Sequence, residues 1–133
     1  MNGGHLSKSQ KEWTPARKKS FIVSVLRGGS RRWPPKYETL NESKTEKKVN
    51  TLTGRIAQHF RCASCGGEFP AKQVNVNHKV PVVDPEIGFT TWDDFIERLF
   101  CDKSLLEVLC VPCHKEVTEI ENKARKNVNS RKT

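Results

Sequence analysis

The chain has 133 residues and a formal net charge of +9, and 35% of its residues are hydrophobic. That length allows one domain, or a small core with an extension, and so low an apolar content leaves a core that needs a staple such as a metal ion. No apolar stretch approaches the roughly 18 residues needed to cross a bilayer, so membrane partners are excluded and a soluble, cytoplasmic protein of a reducing compartment is expected.

The charge is uneven. Residues 1–53 hold twelve lysines and arginines against four acids, whereas residues 54–133 hold twelve against eleven. A basic extension on a near-neutral core predicts a polyanionic partner, most simply nucleic acid held through its phosphates. The plainer alternative is a solubilising, partly disordered tail.

Residues 1–13 lack periodicity and read as disordered. Thr14 and Pro15 then make a helix start, because threonine caps well and proline is tolerated in the first turn. A helix over 16–27 follows, with Phe21, Ile22, Val25 and Leu26 on its apolar side, ended by Gly28 and Gly29. It carries Arg17, Lys18 and Lys19. Arg31, Arg32 and Lys36 are interleaved with Trp33, Tyr37 and a stiff diproline. The six cations are candidate phosphate contacts, and the aromatic rings serve equally well to anchor the extension on a core. Residues 38–48 are polar and read as a solvated helix or a linker.

Cys62-x-x-Cys65 and Cys110-x-x-Cys113 form two cysteine pairs with 44 residues between them. Two such pairs match a tetrahedral thiolate zinc site with a large insertion. The alternatives are four ordinary core cysteines, or two disulfides in a secreted protein; residues 1–10 are polar and lack a signal-like apolar run. Gly66 and Gly67 let the chain turn tightly behind the first pair. Cys101 reads as a core residue on a helix, and His59 as a packed or exposed histidine. Val74, Val76, Val80 and Val82 alternate with polar residues, the pattern of a half-buried strand, in which Asn77 and His78 leave from opposite faces. Residues 84–88 are turn-like. Thr90 or Thr91 caps a helix over 92–100 with Trp92, Phe95, Ile96, Leu99 and Phe100 as its stripe. Pro112 suits the first turn of a helix running to about Lys126, with His114 in that same turn. Residues 127–133 read as a flexible basic tail.

The residues Cys62-Ala-Ser-Cys65, Val76-Asn77-His78-Lys79-Val80-Pro81 and Leu109-Cys110-Val111-Pro112-Cys113-His114 together resemble the HNH endonucleases of the ββα-metal superfamily, in their zinc-stapled phage or homing-type form. The resemblance covers about residues 54–125. It implies an α+β fold: a small ββα-metal core with a structural zinc site, plus a mainly helical basic extension. The implied organisation is an extension over 1–53, a nuclease domain over 54–126 and a tail over 127–133. It further implies hydrolysis of phosphodiester bonds in double-stranded DNA, with His78 as general base and Asn77 and His114 as ligands of a catalytic Mg²⁺ or Mn²⁺. Cys62, Cys65, Cys110 and Cys113 would hold the structural zinc.

Three positions depart from the family pattern. Asn77 stands where Asp or His is usual, which removes an anionic ligand. Leu105 stands where the motif's middle Asn falls, and Val117-Thr118 where a Lys-Thr pair is common. The competing expectation is a zinc-stabilised DNA-binding module with a degenerate site; an RNA-directed nuclease or a toxin is the third. Monomer and dimer are both compatible with the sequence.

Overall fold

The computed structural model describes the backbone of residues 12–132 and the side chains of residues 12–130. The disorder expected over 1–13 falls, except for Glu12 and Trp13, outside the described residues. The chain divides into two compact units, Met1–Arg31 and Arg32–Thr133. Segment 32–53, grouped by its charge with the extension, contributes a helix and a strand to the second unit.

The first unit is described by helix α1, Pro15–Ser30. The Thr14 side chain accepts from the Arg17 amide at 3.2 Å, satisfying one of the orphan N–H groups of the first turn. Trp13 meets Phe21 edge-on at 6.0 Å, and the Arg17 guanidinium lies 4.3 Å from the Trp13 ring centroid. The helix does not stop at Gly28-Gly29. Both glycines are helical, the Ser30 hydroxyl donates to the Arg27 carbonyl, and the Arg31 amide closes the end on Gly28.

In the second unit Pro34 and Pro35 fill the first turn of α2, Pro34–Glu42, where missing N–H groups cost nothing. Trp33, just before it, donates from its indole N–H to the Cys101 carbonyl at 2.8 Å and stacks edge-on against Phe100. Of residues 38–48, expected as a solvated helix or a linker, 38–42 belong to α2 and 44–48 instead to strand β1, Lys44–Val49, antiparallel to β2, Ile56–Arg61, which pairs with β3, Glu68–Pro70. Three of the six β1 residues are lysines, and β1 is an edge of this sheet. Its low apolar content hid it, because its pairing rests on backbone hydrogen bonds and a bulge between Lys44 and Lys47.

Strand β4, Val74–His78, pairs antiparallel with β5, Leu106–Cys110, and α4, Val111–Lys132, follows β5 directly. The strand expected from the alternation runs from Val74 to His78 and ends there, with Val74 buried, Asn75 exposed and Val76, Asn77 and His78 all half-buried. The chain bends at Lys79 and Val80, and Val80 is exposed. Helix α3, Trp92–Leu99, is capped by Thr91, with Phe95 and Leu99 buried; Ile96, expected in the stripe, is exposed. Cys101 is buried as expected, but in the loop after α3 rather than on a helix. The tail expected from 127 is helical through Lys132.

Helices α2 and α4 both pack against the β4–β5 pair. Val74 and Val108 cluster with Phe60, and Leu40 of α2 packs against them. Leu109, on the opposite face, and Cys110, at the end of the strand, cluster with Cys62, and Cys113 and Val117 of α4 pack against this cluster. Because successive strand residues alternate faces, Asn75, Asn77 and Glu107 share the Leu109 side, while His78 and Cys110 share the Val74 side.

Candidate metal centres

Four elements converge on the cysteines. Cys62 follows β2, Cys65 lies in the turn after it, Cys110 ends β5, and Cys113 sits in the first turn of α4. The turn is built by backbone bonds from the Gly66 amide to the Cys62 carbonyl and from the Cys62 amide to the Gly67 carbonyl. Gly66 has φ 74°, and a Cβ on Gly67 would meet the Phe69 ring at 2.8 Å, so both positions require glycine. The Ala63 amide bonds the Val108 carbonyl, tying the turn to β5.

The four sulfur atoms all lie within 4.8 Å of one another, and those of Cys65 and Cys110 are 3.9 Å apart. A tetrahedron with zinc–sulfur bonds of about 2.3 Å has edges of about 3.8 Å, so the cluster has the size and donor chemistry of a closed zinc site. All five cysteines are free thiols. Burial works to raise the Cys62 thiol, but backbone N–H groups of Cys65, Cys110 and Ser64 outweigh it and draw its pKa down to about 6. Cys113 is pushed up to about 12 by its hydrogen bond with the Cys110 thiol and by burial, and burial raises Cys110 too. Neighbouring thiolates repel, so protons stay on some sulfurs until a dication replaces them.

The second group lies on the β4–β5–α4 unit. His78, the last residue of β4, is half-buried, and its Nε2 donates to the Leu99 carbonyl at 2.9 Å. A carbonyl only accepts, so Nε2 carries the hydrogen. Asn77 donates from Nδ2 to Glu107 Oε2 at 3.2 Å, across the strand pair. His114 stands half-buried in the first turn of α4, whose Thr118 hydroxyl donates back to the His114 carbonyl. At Leu105, the backbone carbonyl accepts from the Lys79 amide at 2.8 Å and holds the chain just past His78.

Glu107 and the Leu99 carbonyl were not legible as site groups in the sequence. The β4–β5 register was the missing signal, since it sets Glu107 opposite Asn77. His59 is buried, with Nδ1 donating to the Ala57 carbonyl. Among the cations, Arg17, Lys18 and Lys19 are exposed on α1, Arg31 and Arg32 are exposed, and Lys36 on α2 is half-buried. The β1–β2 hairpin adds Lys44, Lys47 and Arg55 to the exposed basic residues.

No protein-family model matches the chain, and neither the curated proteins nor the solved structures contain a match to it. Among the described residues no helix is long and apolar enough to cross a membrane.

Proposed function

We propose that the chain is a metal-dependent HNH-type endonuclease that hydrolyses phosphodiester bonds of duplex DNA, with β4, β5 and α4 as its ββα core. The observation that carries the reading is the setting of His78: it ends β4, next to Asn77, with Nε2 held by the Leu99 carbonyl. The order of two antiparallel strands followed by a helix, with a four-cysteine cluster at the strand–helix junction, supports it.

In this reading Nδ1 of His78 takes the proton from the attacking water. The fixed Nε2–H bond prevents the ring from turning, and the C-terminal end of α3 favours the imidazolium that forms. His78 lies where the chain bends away from the sheet, so a phosphate across the hairpin end meets groups from both faces. Asn77, through Oδ1, and His114, through its ring, are the residues that would hold the cation, an oxygen and imidazole donor set that suits Mn²⁺ or Mg²⁺. That cation would polarise the scissile phosphate and offset charge on the leaving oxygen. The family's middle Asn has backbone substitutes here: Leu99 orients the base, and Leu105 ties down the following residue. The exposed cations of α1 and the β1–β2 hairpin supply affinity for the DNA backbone.

Plasmid relaxation in Mg²⁺, Mn²⁺ or EDTA, run beside His78→Ala, tests this. Cation-dependent relaxation that is lost in the variant is expected. A protein that binds plasmid but relaxes it in no cation is a binding module, and the nuclease reading then fails.

A further inference from the structure

The register of the β4–β5 pair sets Asn77 directly opposite Glu107, both half-buried and both on the face that carries Leu109. Glu107 Oε2 accepts from Asn77 Nδ2 at 3.2 Å, which leaves Oε1 without that neighbour. Glu42 and Glu68, on the other strands and helices of this unit, each have a lysine at 2.6 and 3.3 Å. No ion pair to Glu107 is present among the described residues. A half-buried carboxylate that accepts from a neutral amide through one oxygen has a second oxygen able to ligate a cation.

The cation ligands named in the nuclease reading have the complementary deficit. Asn77 and His114 are neutral ligands, and divalent cations of the Mg²⁺ and Mn²⁺ class bind weakly without a carboxylate oxygen. We infer that Glu107 supplies the anionic ligand of the cation held between the hairpin and α4, with Asn77 both ligating that cation and fixing the Glu107 carboxylate. This deepens the nuclease reading and rests on it for the role of the cation. The negative charge absent at position 77 is then carried across the strand pair, and Asn77 and Glu107 act as one unit.

The test uses full-length, zinc-loaded protein and Mn²⁺ alone as the probe. Binding is followed by loss of the free Mn²⁺ electron paramagnetic resonance signal, and plasmid cleavage is measured over the same Mn²⁺ range. Glu107→Gln keeps the size of the side chain and an oxygen able to accept from Asn77, and retained zinc content and melting temperature verify its fold. It is expected to weaken Mn²⁺ binding about tenfold or more, and to raise the Mn²⁺ concentration for half-maximal cleavage by the same factor. The double variant Asn77→Asp with Glu107→Gln returns the charge to the facing strand and is expected to recover both. If Glu107→Gln binds Mn²⁺ as tightly as the wild type while the wild type cleaves, the ligand assignment falls and the nuclease reading stands. If the wild type binds Mn²⁺ through Glu107 but never cleaves, the site stands and the nuclease reading falls. A wild type that neither binds Mn²⁺ nor cleaves overturns both.

Discussion

The imidazole of His78 donates from Nε2 to the carbonyl oxygen of Leu99, joining the end of β4 to the last turn of α3. Two losses are therefore expected in His78→Ala. Removing the base should slow cleavage by about 10²- to 10⁴-fold. Orphaning the Leu99 carbonyl should cost about 1 to 2 kcal/mol in chemical unfolding. His78→Gln, with an amide that can reach the carbonyl, should lose the rate and keep most of the stability. A glutamine variant that cleaves like the wild type would show that His78 is only a helix cap.

Zinc removal should unfold the second unit. The cysteine cluster joins the turn after β2 to the β5–α4 junction, and structural zinc contributes on the order of 10 kcal/mol in small domains, comparable to the whole stability of such a fold. Metal analysis should find one zinc per chain, and a strong chelator should abolish the far-ultraviolet dichroism of the sheet and helices. Chelated protein that keeps its melting temperature contradicts the staple.

Trp33 anchors α2 through the Cys101 carbonyl and the Phe100 ring. Trp33→Ala should destabilise the zinc-loaded protein by about 3 kcal/mol, through lost packing and an unpaired carbonyl. Trp33→Phe should retain the stacking and lose about 1 kcal/mol. Urea titration at fixed zinc separates the two, and equal losses would show that the ring contact is dispensable.

Asp84 carries an acid-labile contribution. Backbone N–H groups of Ile87 and Glu86 bond its carboxylate, and they hold its pKa below the usual carboxylate value. The folded state then binds fewer protons than the unfolded chain in this range. The stabilisation is complete above the ordinary carboxylate pKa and disappears as pH falls through the lower folded value. Asp84→Asn should therefore show a smaller drop in melting temperature between about pH 5 and about pH 3 than the wild type. An identical drop would place the acid sensitivity elsewhere.

The basic residues of α1 are testable through salt. If Lys18 and Lys19 neutralise phosphates, replacing both by Ala should reduce the slope of log affinity against log salt by about 0.9 for each phosphate no longer neutralised. Deleting 1–31 is the matching truncation, because a cut at 53 would also remove α2 and β1 from the second unit. An unchanged slope in both proteins would make α1 a bystander in DNA binding.

The cysteine cluster was legible because ligand type and spacing are local. Cys62-x-x-Cys65 and Cys110-x-x-Cys113 carry their chemistry in the sequence, and the Cα path merely closes them together. The strand at Val74–His78 was legible from alternation, and α3 from its cap and apolar spacing. What stayed hidden depends on partners distant in sequence. Lys44–Val49 has no apolar alternation to mark it, and only β2 makes it a strand. Gly28 and Gly29 read as a stop, yet the Ser30 and Arg31 bonds carry the helix through them. The Leu99 carbonyl has no residue-type signature at all, and Glu107 became a candidate only once the register set it against Asn77.

Strand β1 has a consequence for self-association. An edge strand with unpaired backbone groups is a template on which a second copy of a chain can add. Here the edge is half lysine, and a second β1 laid against it would bring like charges together while desolvating them. The same cations that favour a polyanion thus discourage another copy of the strand. Neutralising them by bound nucleic acid would lift that barrier, so crowding along one DNA molecule, rather than concentration in free solution, is where sheet-to-sheet contact between copies would first become favourable.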